Sequence, residues 1–378
     1  MKSICLISGS SPEFLGGISL YQRNLIEYSK KNKLKLNFTW VYPGNENKKY
    51  KFEGINCIEI KSSKYPFLKE FDFARKARKI ISKENFDIIN TNANWGYALK
   101  NYKKKKDQKI IHTYHGTTYP YMKIQLRRFR ILKRVLLSPI LLLSYVLEKS
   151  PIKKADKIIC VSEKVKKELA RLFKTNKKME VIRTGVGVSQ FKKLSKQDSR
   201  KTLNLDNKKI YGLYSGRGGY WNKGLDRAIN LSKEIHKINK NYKLIVVGAD
   251  KNKCKKYLDF PFVEYKGLIK REVLPKYYSA CNFFFFLSRY EGGAPALALS
   301  EAIASECLTI CSKDSKQEIL QDKRDCLILD NYGIKEAKSI LELLGEHRQM
   351  EGIKKSAKEK IMKFTLDKWG KKYFGVLE

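Results

Sequence analysis

The 378-residue chain is poor in acidic residues and in the groupings that bind metal ions. It has 38 Asp and Glu against 79 Lys and Arg, only four His, and no Asp-x-Asp pair. Its eight cysteines include no CxxC pair, and Cys307 with Cys311 lacks a second ligand pair at zinc-site spacing. We therefore expect reduced, buried cysteines and no bound metal ion.

Long hydrophobic runs are also scarce. The longest, residues 135–147, is interrupted by Ser138 and Pro139 and would reach about 20 Å as a helix, short of the roughly 30 Å core of a bilayer. Residues 1–8 resemble a buried strand and lack the apolar core and cleavage site of a signal peptide. The sequence therefore predicts a cytoplasmic protein that does not span the membrane.

The excess of cations gives a formal net charge of +41, more than a small anionic ligand requires. A nucleotide diphosphate carries about two to three negative charges and needs only a couple of cations. The surplus fits a lysine-biased composition on solvated surfaces, an anionic membrane surface or an anionic acceptor. No zinc finger or RNP-like aromatic pair accompanies the charge, so we expect no specific nucleic-acid partner.

Short apolar runs alternate with helical stretches along the whole chain, which predicts an α/β fold with parallel sheets buried on both faces. One series of predicted strands begins at Ile4 and a second at Ile210, so we expect two doubly wound, Rossmann-like domains. The predicted domains are residues 1–188, joined by a returning C-terminal helix over residues 361–378, and residues 189–360. Ligands of such sheets bind at the carboxyl ends of the strands, which predicts a site in a cleft between the domains.

The most informative motif is the stretch from Ser288 to Ser305, which follows the apolar run 283–287. A strand, a Gly-rich loop and a helix in that order expose backbone N–H groups, and these groups can bind an anion together with the helix N-terminus. Glu291 and Glu301 flank the loop and can accept hydrogen bonds from hydroxyl groups. An anion site between two hydroxyl acceptors suits a nucleotide sugar.

This motif resembles the donor-binding motif of the retaining GT-B glycosyltransferases of family four, also described as glycosyl transferases group 1. The family's two glutamates usually stand eight residues apart and here stand ten apart, which predicts a longer turn. The resemblance implies that Glu301 holds the ribose hydroxyls and that Glu291 contacts a sugar hydroxyl. It also implies that backbone amides of Gly292, Gly293 and Ala294 bind the phosphate.

A second motif lies at the predicted end of the strand over residues 210–215. Gly216 and Arg217 end that strand, and Lys223 precedes the next helix. The matching Gly-Arg and Lys-Gly pairs of the family grip the donor pyrophosphate. Because no metal site accompanies them, we expect Arg217 and Lys223 to offset the charge of the leaving group.

Further candidates depend more heavily on the resemblance. Gly16 and Gly17 open a helix after the first strand, as in the family's N-terminal loop beside the transferred sugar. His115 follows the strand 110–114, where the family commonly places a His against the donor sugar. Leu268 belongs to a turn whose main chain contacts the nucleobase in the family.

The resemblance thus implies a retaining, metal-independent glycosyltransferase without a cofactor. It would move a hexose-type sugar from a UDP- or GDP-type donor to a hydroxyl of a glycan or lipid-linked acceptor, in polysaccharide or glycolipid assembly. Two alternatives remain open: a nucleotide-sugar 2-epimerase of the same fold, and a non-catalytic basic protein that binds membrane or nucleic acid. Transfer or hydrolysis of a nucleotide sugar would separate the enzymes from the binding protein.

The region 121–154 allows two interpretations. Cations precede and follow its apolar stretch, so it could lie on an anionic bilayer as a peripheral membrane segment. It could equally be a core helix of the first domain with a solvated basic rim.

Overall fold

The structure is a computed structural model that describes residues 1–14, 16–65, 68–216, 220–315 and 317–377. The chain divides into two compact units. The first comprises residues 1–185 and 366–378, and the second comprises residues 186–365.

The first unit is built on a sheet with eight strands among the described residues, in the order β3-β4-β2-β1-β5-β6-β7-β8. All pair in parallel except β3, which runs antiparallel to β4 at the edge. The apolar runs form the central strands because both faces of a parallel sheet are covered. The strands are β1 (Lys2–Ile7), β2 (Leu36–Gly44), β3 (Lys48–Phe52), β4 (Ile55–Lys61), β5 (Ile88–Asn92), β6 (Lys109–Tyr114), β7 (Lys157–Cys160) and β8 (Met179–Val181).

The helices of the first unit cover this sheet, and the last one comes from the end of the chain. They are α1 (Gly17–Lys31), α2 (Leu68–Lys83), α3 (Thr118–Leu126), α4 (Ile131–Leu137), α5 (Pro139–Lys154), α6 (Glu163–Phe173) and α14 (Leu366–Gly375). In α14, Trp369, Tyr373 and Phe374 are buried in the core of this unit. Phe374 stacks on Tyr28 of α1 with ring centroids 5.4 Å apart.

The second unit has a parallel sheet with six strands among the described residues, in the order β11-β10-β9-β12-β13-β14. Its central strand β12 consists of four consecutive buried phenylalanines. The strands are β9 (Ile210–Ser215), β10 (Tyr242–Val247), β11 (Val263–Gly267), β12 (Phe283–Phe286), β13 (Leu308–Ser312) and β14 (Leu327–Leu329). The helices are α7 (Lys196–Thr202), α8 (Leu225–Ile238), α9 (Lys251–Leu258), α10 (Leu274–Ala280), α11 (Leu297–Ala304), α12 (Ile334–Gly345) and α13 (His347–Ile361).

Each sheet has a point where the direction of strand addition reverses. In the first unit it lies between β1 and β5, and in the second between β9 and β12. At such a point the loops leaving two adjacent strands diverge and leave a crevice for a ligand. The two doubly wound α/β units predicted from the sequence are confirmed, and their reversal points indicate where each unit binds ligands.

The apolar region of the first unit folds into separate pieces. Pro139 stands at the first turn of α5, and α4 ends just before it, because a proline fits a helix start but not its interior. Within the described part of the chain, no helix combines the length and apolar character needed to cross a membrane.

Candidate active site

Two loops of the second unit meet at the reversal point between β9 and β12. One follows β9 and leads into α8, and the other runs irregularly from Leu287 to Ala296 before α11. At the contact, Gly224 has a positive φ of 73°, and a Cβ there would lie 2.1 Å from the carbonyl oxygen of Leu287. Only glycine fits this position, because it tolerates the left-handed backbone and lets the two main chains approach.

This contact brings together two residues that are 68 positions apart in sequence. Nζ of Lys223 donates a hydrogen bond of 2.6 Å to Oε1 of Glu291. Both side chains are largely shielded from water, with 34% of Lys223 and 13% of Glu291 exposed. The longer turn therefore still places Glu291 beside Lys223, at the carboxyl ends of β9 and β12.

A second pair clamps the same two loops. The guanidinium of Arg289 donates to both carboxylate oxygens of Asp226, at 2.8 and 2.6 Å. It also lies over the ring of Trp221, 4.2 Å from the centroid, and the backbone N–H of Arg289 donates to the carbonyl of Asn222 at 2.9 Å. A bidentate pair of this kind fixes both distance and orientation, so Arg289 and Asp226 set the position of the loop that carries Lys223.

Glu301 occupies a buried position in α11 beside a cation. Its side chain is 6% exposed, and Oε1 lies 2.7 Å from a terminal nitrogen of Arg271. The two groups attract by charge, yet among the described residues Oε1 has no partner in hydrogen-bond geometry. Burial raises the pKa of Glu301, and the charge of Arg271 opposes that rise. One oxygen of this buried carboxylate is therefore engaged by Arg271, at the position where the family resemblance predicts the ribose hydroxyls.

The backbone around α11 is only partly available for an anion. The N–H of Ala296, the residue before the helix, donates to Oε1 of Gln317 at 2.8 Å. Gly292 and Ala294 are buried, and Gly293 is half-buried. The predicted anion site is therefore limited to the part of the loop before Ala296.

Leu268, the predicted base-contacting residue, follows β11. Gly267 ends that strand with φ of 69°, and its carbonyl accepts a hydrogen bond of 2.7 Å from the N–H of Gly248. Leu268 itself is 68% exposed. The hydrogen bond from Gly248 fixes the backbone of this turn at Gly267, while Leu268 stays exposed to solvent. Such a turn suits main-chain contacts to a planar nucleobase.

The cation motif after β9 is described only in part. Gly216 follows the strand and its N–H donates to the carbonyl of Val247 at 3.2 Å. Arg217 lies outside the described residues, so its assignment stays a prediction.

In the first unit, His115 stands at the end of β6 and is held by neighbours. Its Nε2 lies 2.8 Å from Oδ1 of Asn92, and its ring packs edge-on against Tyr21 at 4.6 Å. The amide nitrogen of Asn92 donates to Asn90 at 2.8 Å, which leaves Oδ1 of Asn92 as the acceptor. His115 therefore carries its proton on Nε2, and Nδ1 keeps a lone pair.

Burial lowers the pKa of His115 to about 3. The imidazole is consequently neutral at physiological pH, and it can accept a hydroxyl hydrogen bond without acting as a cation. The nearby helix α1 begins at Gly17, and its N-cap residue Gly16 has an extended backbone without a side-chain cap. A Cβ on Gly17 would meet nothing within 4 Å, whereas a Cβ on Gly16 would lie 2.3 Å from the ring of Phe14, so the space is open at Gly17 only.

Several residues of these sites were missed by sequence reasoning, namely Asp226, Arg271, Arg289 and Asn92. One signal was present: Arg289 is the only Lys or Arg between Lys276 and Lys313, so a general lysine bias does not explain it. In the described part of the chain, no group of three or more His, Cys, Asp or Glu side chains could hold a metal ion.

Comparisons with known proteins agree with this architecture. The family model described as Glycosyltransferase Family 4 matches residues 15–190, and the model described as Glycosyl transferases group 1 matches residues 195–360. Comparison with curated protein sequences gave no significant match.

Among solved structures, the sucrose-phosphate synthase of Thermosynechococcus elongatus is similar, with a TM-score of 0.82 and 20% identity over 100% of this chain and 98% of that one. The glycosyltransferase WaaG, involved in lipopolysaccharide biosynthesis, has a TM-score of 0.77 and 12% identity over 100% and 99%. Anabaena HepE in complex with UDP-glucose has a TM-score of 0.73 and 12% identity over 100% and 99%. The two matched models, together with two doubly wound units of this kind, show that the chain is an enzyme of the GT-B glycosyltransferases, in the family described as glycosyl transferases group 1.

Proposed function

We propose that the protein is a retaining glycosyltransferase that moves a hexose-type sugar from a nucleotide-diphosphate donor to a hydroxyl of a glycan or lipid-linked acceptor. The observation that carries the proposal is the contact of Lys223 with Glu291 at the reversal point of the second sheet. Lys223 is a cation suited to binding a pyrophosphate, and Glu291 is a carboxylate suited to binding a sugar hydroxyl. Glu301, a buried carboxylate in α11 beside Arg271, supplies the third contact that a nucleotide sugar needs.

In the proposed reaction, the bond between the anomeric carbon and the pyrophosphate oxygen breaks while the acceptor oxygen bonds to the same face of that carbon. The acceptor's proton moves to the departing phosphate, so no protein nucleophile is required. Lys223 and Arg217 stabilise the negative charge that develops on the pyrophosphate, as preorganised cations do in other charge-separating reactions. His115, neutral and fixed by Asn92, accepts a hydrogen bond from a donor-sugar hydroxyl.

The ion pair between Lys223 and Glu291 must rearrange when donor binds. Lys223 exchanges the carboxylate for a phosphate oxygen, and Glu291 becomes available for a hydroxyl. The exchange keeps Lys223 paired throughout, which avoids leaving a part-buried cation unsatisfied.

UDP sugars are the first donors to test, because HepE is described in complex with UDP-glucose. WaaG is described as acting in lipopolysaccharide biosynthesis, and we propose that this protein likewise serves polysaccharide or glycolipid assembly. The nucleobase would be read by the main chain near Leu268, which is compatible with UDP and with GDP.

A thermal-shift series with UDP, GDP and their sugar conjugates tests donor binding first. A ligand at about 100 times its dissociation constant adds roughly 2.7 kcal/mol to the free energy of unfolding, so a genuine donor gives a clear rise in Tm. Proton NMR of the product of the best donor then reports whether the anomeric configuration is retained. No rise with any nucleotide would contradict the proposal, and an inverted product would contradict the retaining mechanism.

We also propose that transfer needs no metal ion, since cations of the protein offset the leaving-group charge. Activity should persist in excess EDTA. Complete loss of activity, restored by one divalent cation, would contradict this part of the proposal.

A further inference from the structure

A stretch of the first unit lacks acidic residues and contains α4, a short helix whose apolar side chains are exposed. No Asp or Glu occurs from Gln108 to Leu147. Within this stretch, α4 has no buried residue, and most side chains from Arg127 to Leu136 are exposed. Helices on a protein surface normally bury one face, so a helix exposing its apolar side chains indicates a missing partner.

The exposed side chains of α4 form a continuous apolar face. Ile131, Leu132, Val135 and Leu136 are 77%, 75%, 63% and 70% exposed. At 100° per residue, these four positions span one side of the helix, and Lys133 and Arg134 lie on the other. On the following helix α5, Leu142 is also exposed, at 66%.

Cations surround this face without acidic partners. Among the described residues, Arg127, Arg128, Arg130 and Lys133 form no ion pair, and Arg128 and Lys133 instead lie over the ring of Phe129 at 4.5 and 4.8 Å. Arg134 donates to the carbonyls of Phe129 and Arg127, both at 2.8 Å. These bonds tie the chain between α3 and α4 to α4.

We propose that α4 is a membrane-docking element that inserts its apolar face into the headgroup region of an anionic bilayer, with Arg127, Arg128, Arg130 and Lys133 on the lipid phosphates. The helix is about 10 Å long, which suits insertion along the interface and excludes spanning. A protein partner for an apolar face would not require unpaired cations around it, whereas an anionic headgroup layer matches both features. The link to catalysis rests on the proposed function, because docking there would present a lipid-linked acceptor to the first unit. Bilayer binding itself does not depend on transfer.

Flotation with vesicles tests the binding. We expect the whole protein to float with phosphatidylcholine vesicles that contain phosphatidylglycerol and to stay behind with phosphatidylcholine alone, with less flotation as salt rises. The double substitution Leu132→Ser with Leu136→Ser should lower vesicle affinity about tenfold or more. Because both side chains are exposed, the Tm should not change.

Charge and apolar contributions need separate controls. The double variant Arg127→Gln with Arg130→Gln should also lower vesicle affinity about tenfold or more. Its control is Arg324→Gln with Arg348→Gln, which removes the same charge from the second unit. This control should leave vesicle affinity unchanged. Insertion is read directly with Leu132→Trp, whose fluorescence should be quenched by bromine-labelled acyl chains. Ile334→Trp, at another exposed apolar position, should not be quenched.

Three outcomes would overturn the proposal. They are absence of flotation at low salt, equal loss of affinity in the two charge variants, and flotation unchanged by the Leu132 and Leu136 substitutions. Self-association in analytical ultracentrifugation that these substitutions abolish, without vesicle binding, would identify a second copy of the chain as the occupant instead. Donor binding in the thermal-shift series is independent of all these results, so failure of docking and failure of the transferase proposal are distinguishable.

Discussion

At the scale of single residues, the pair of Lys223 and Glu291 makes a quantitative prediction. Lys223→Ala should reduce turnover about a hundredfold or more, because a preorganised charge at the leaving group acts mainly in the transition state. Glu291→Gln should cost less and should couple to it. A double-mutant cycle on kcat/KM should show an interaction of about 1 kcal/mol or more, as expected for groups in contact.

The circular dichroism of each single variant provides the control for folding. Strict additivity of the two effects would mean that the ion pair has no part in donor binding. Near-normal turnover of Lys223→Ala would remove the residue from the leaving-group role.

Glu301 belongs to a different kinetic class from Lys223. Its predicted contact with the ribose exists before and during reaction, so it contributes uniform binding. Glu301→Gln should weaken nucleotide binding by about tenfold to a hundredfold, since a hydrogen bond to a charged group is worth about 1.5 to 3 kcal/mol, while turnover at saturating donor stays within a few-fold. Isothermal titration with UDP and GDP provides the measurement. Unchanged affinity with a large fall in turnover would assign Glu301 to the chemical step instead.

A buried histidine of β6 predicts how stability depends on pH. His112 is fully buried, and burial, with a smaller electrostatic contribution from the neighbouring imidazole of His115, lowers its pKa to about 3. The unfolded chain binds a proton near pH 6.5 while the folded chain does not. The contribution of His112 to stability is therefore fully present above about pH 6.5 and falls by about 1.4 kcal/mol per pH unit below it, until the folded pKa is reached.

Replacing His112 by Gln removes this proton uptake. The difference in free energy of unfolding between wild type and the variant should therefore shrink by about 2 kcal/mol from pH 6.5 to pH 5. Urea unfolding at several pH values measures it. A constant difference would show that His112 titrates normally in the folded protein.

At the scale of elements, the clamp between the loops after β9 and β12 determines how precisely Lys223 is placed. Arg289→Lys keeps the charge but loses the bidentate geometry and the stacking on Trp221. Kcat should fall about tenfold, with a smaller change in donor KM, because Arg289 acts through Lys223 and does not itself touch the donor. Arg348→Lys, at an exposed position of α13, is the matched control. Equal kinetics of Arg289→Lys and wild type would show that the clamp does not position the loop.

Strands on the interior of the sheets were predictable because their residues are apolar without interruption. Phe283 to Phe286 could hardly form anything but a buried strand. The edge strand β3, with three lysines among its five residues, was not recognised, because edge strands carry charges that block pairing with other chains. Its identity depends on antiparallel pairing with β4, which the local sequence does not encode.

The site divides in the same way. Glu301 and Lys223 were predicted as site residues because Glu301 lies in the helix that follows a recognisable strand and loop, and Lys223 lies just before a helix. Arg271 and Arg289 were missed because their roles depend on partners 30 and 63 residues away. Residues 135–147 showed an apolar run, but the sequence did not reveal that the start of that run would stand clear of the core on α4.

At the scale of the whole molecule, the two units differ in how the chain builds them. The second unit is one continuous segment, whereas the first takes α14 from the end of the chain. Gly185 and Trp369 meet so closely that a Cβ at Gly185 would lie 2.8 Å from the indole. The core of the first unit is thus completed by residues 366–378, which follow the rest of that unit by about 180 residues in sequence.

That feature sets an order of events during synthesis. When the ribosome has released residue 185, about 180 further residues must be made before α14 appears, which takes roughly 10 to 40 s at ordinary translation rates. During that interval Tyr21 lacks its contact with Trp369 and Tyr28 lacks its contact with Phe374. The nascent first unit therefore exposes apolar surface that chaperones can bind and through which the chain can aggregate. The second unit is one continuous segment, so it can fold as soon as that segment has been synthesised. A chain ending at Thr365 should accordingly retain a folded second unit and a protease-sensitive first one, and adding the missing residues as a separate peptide should restore protection.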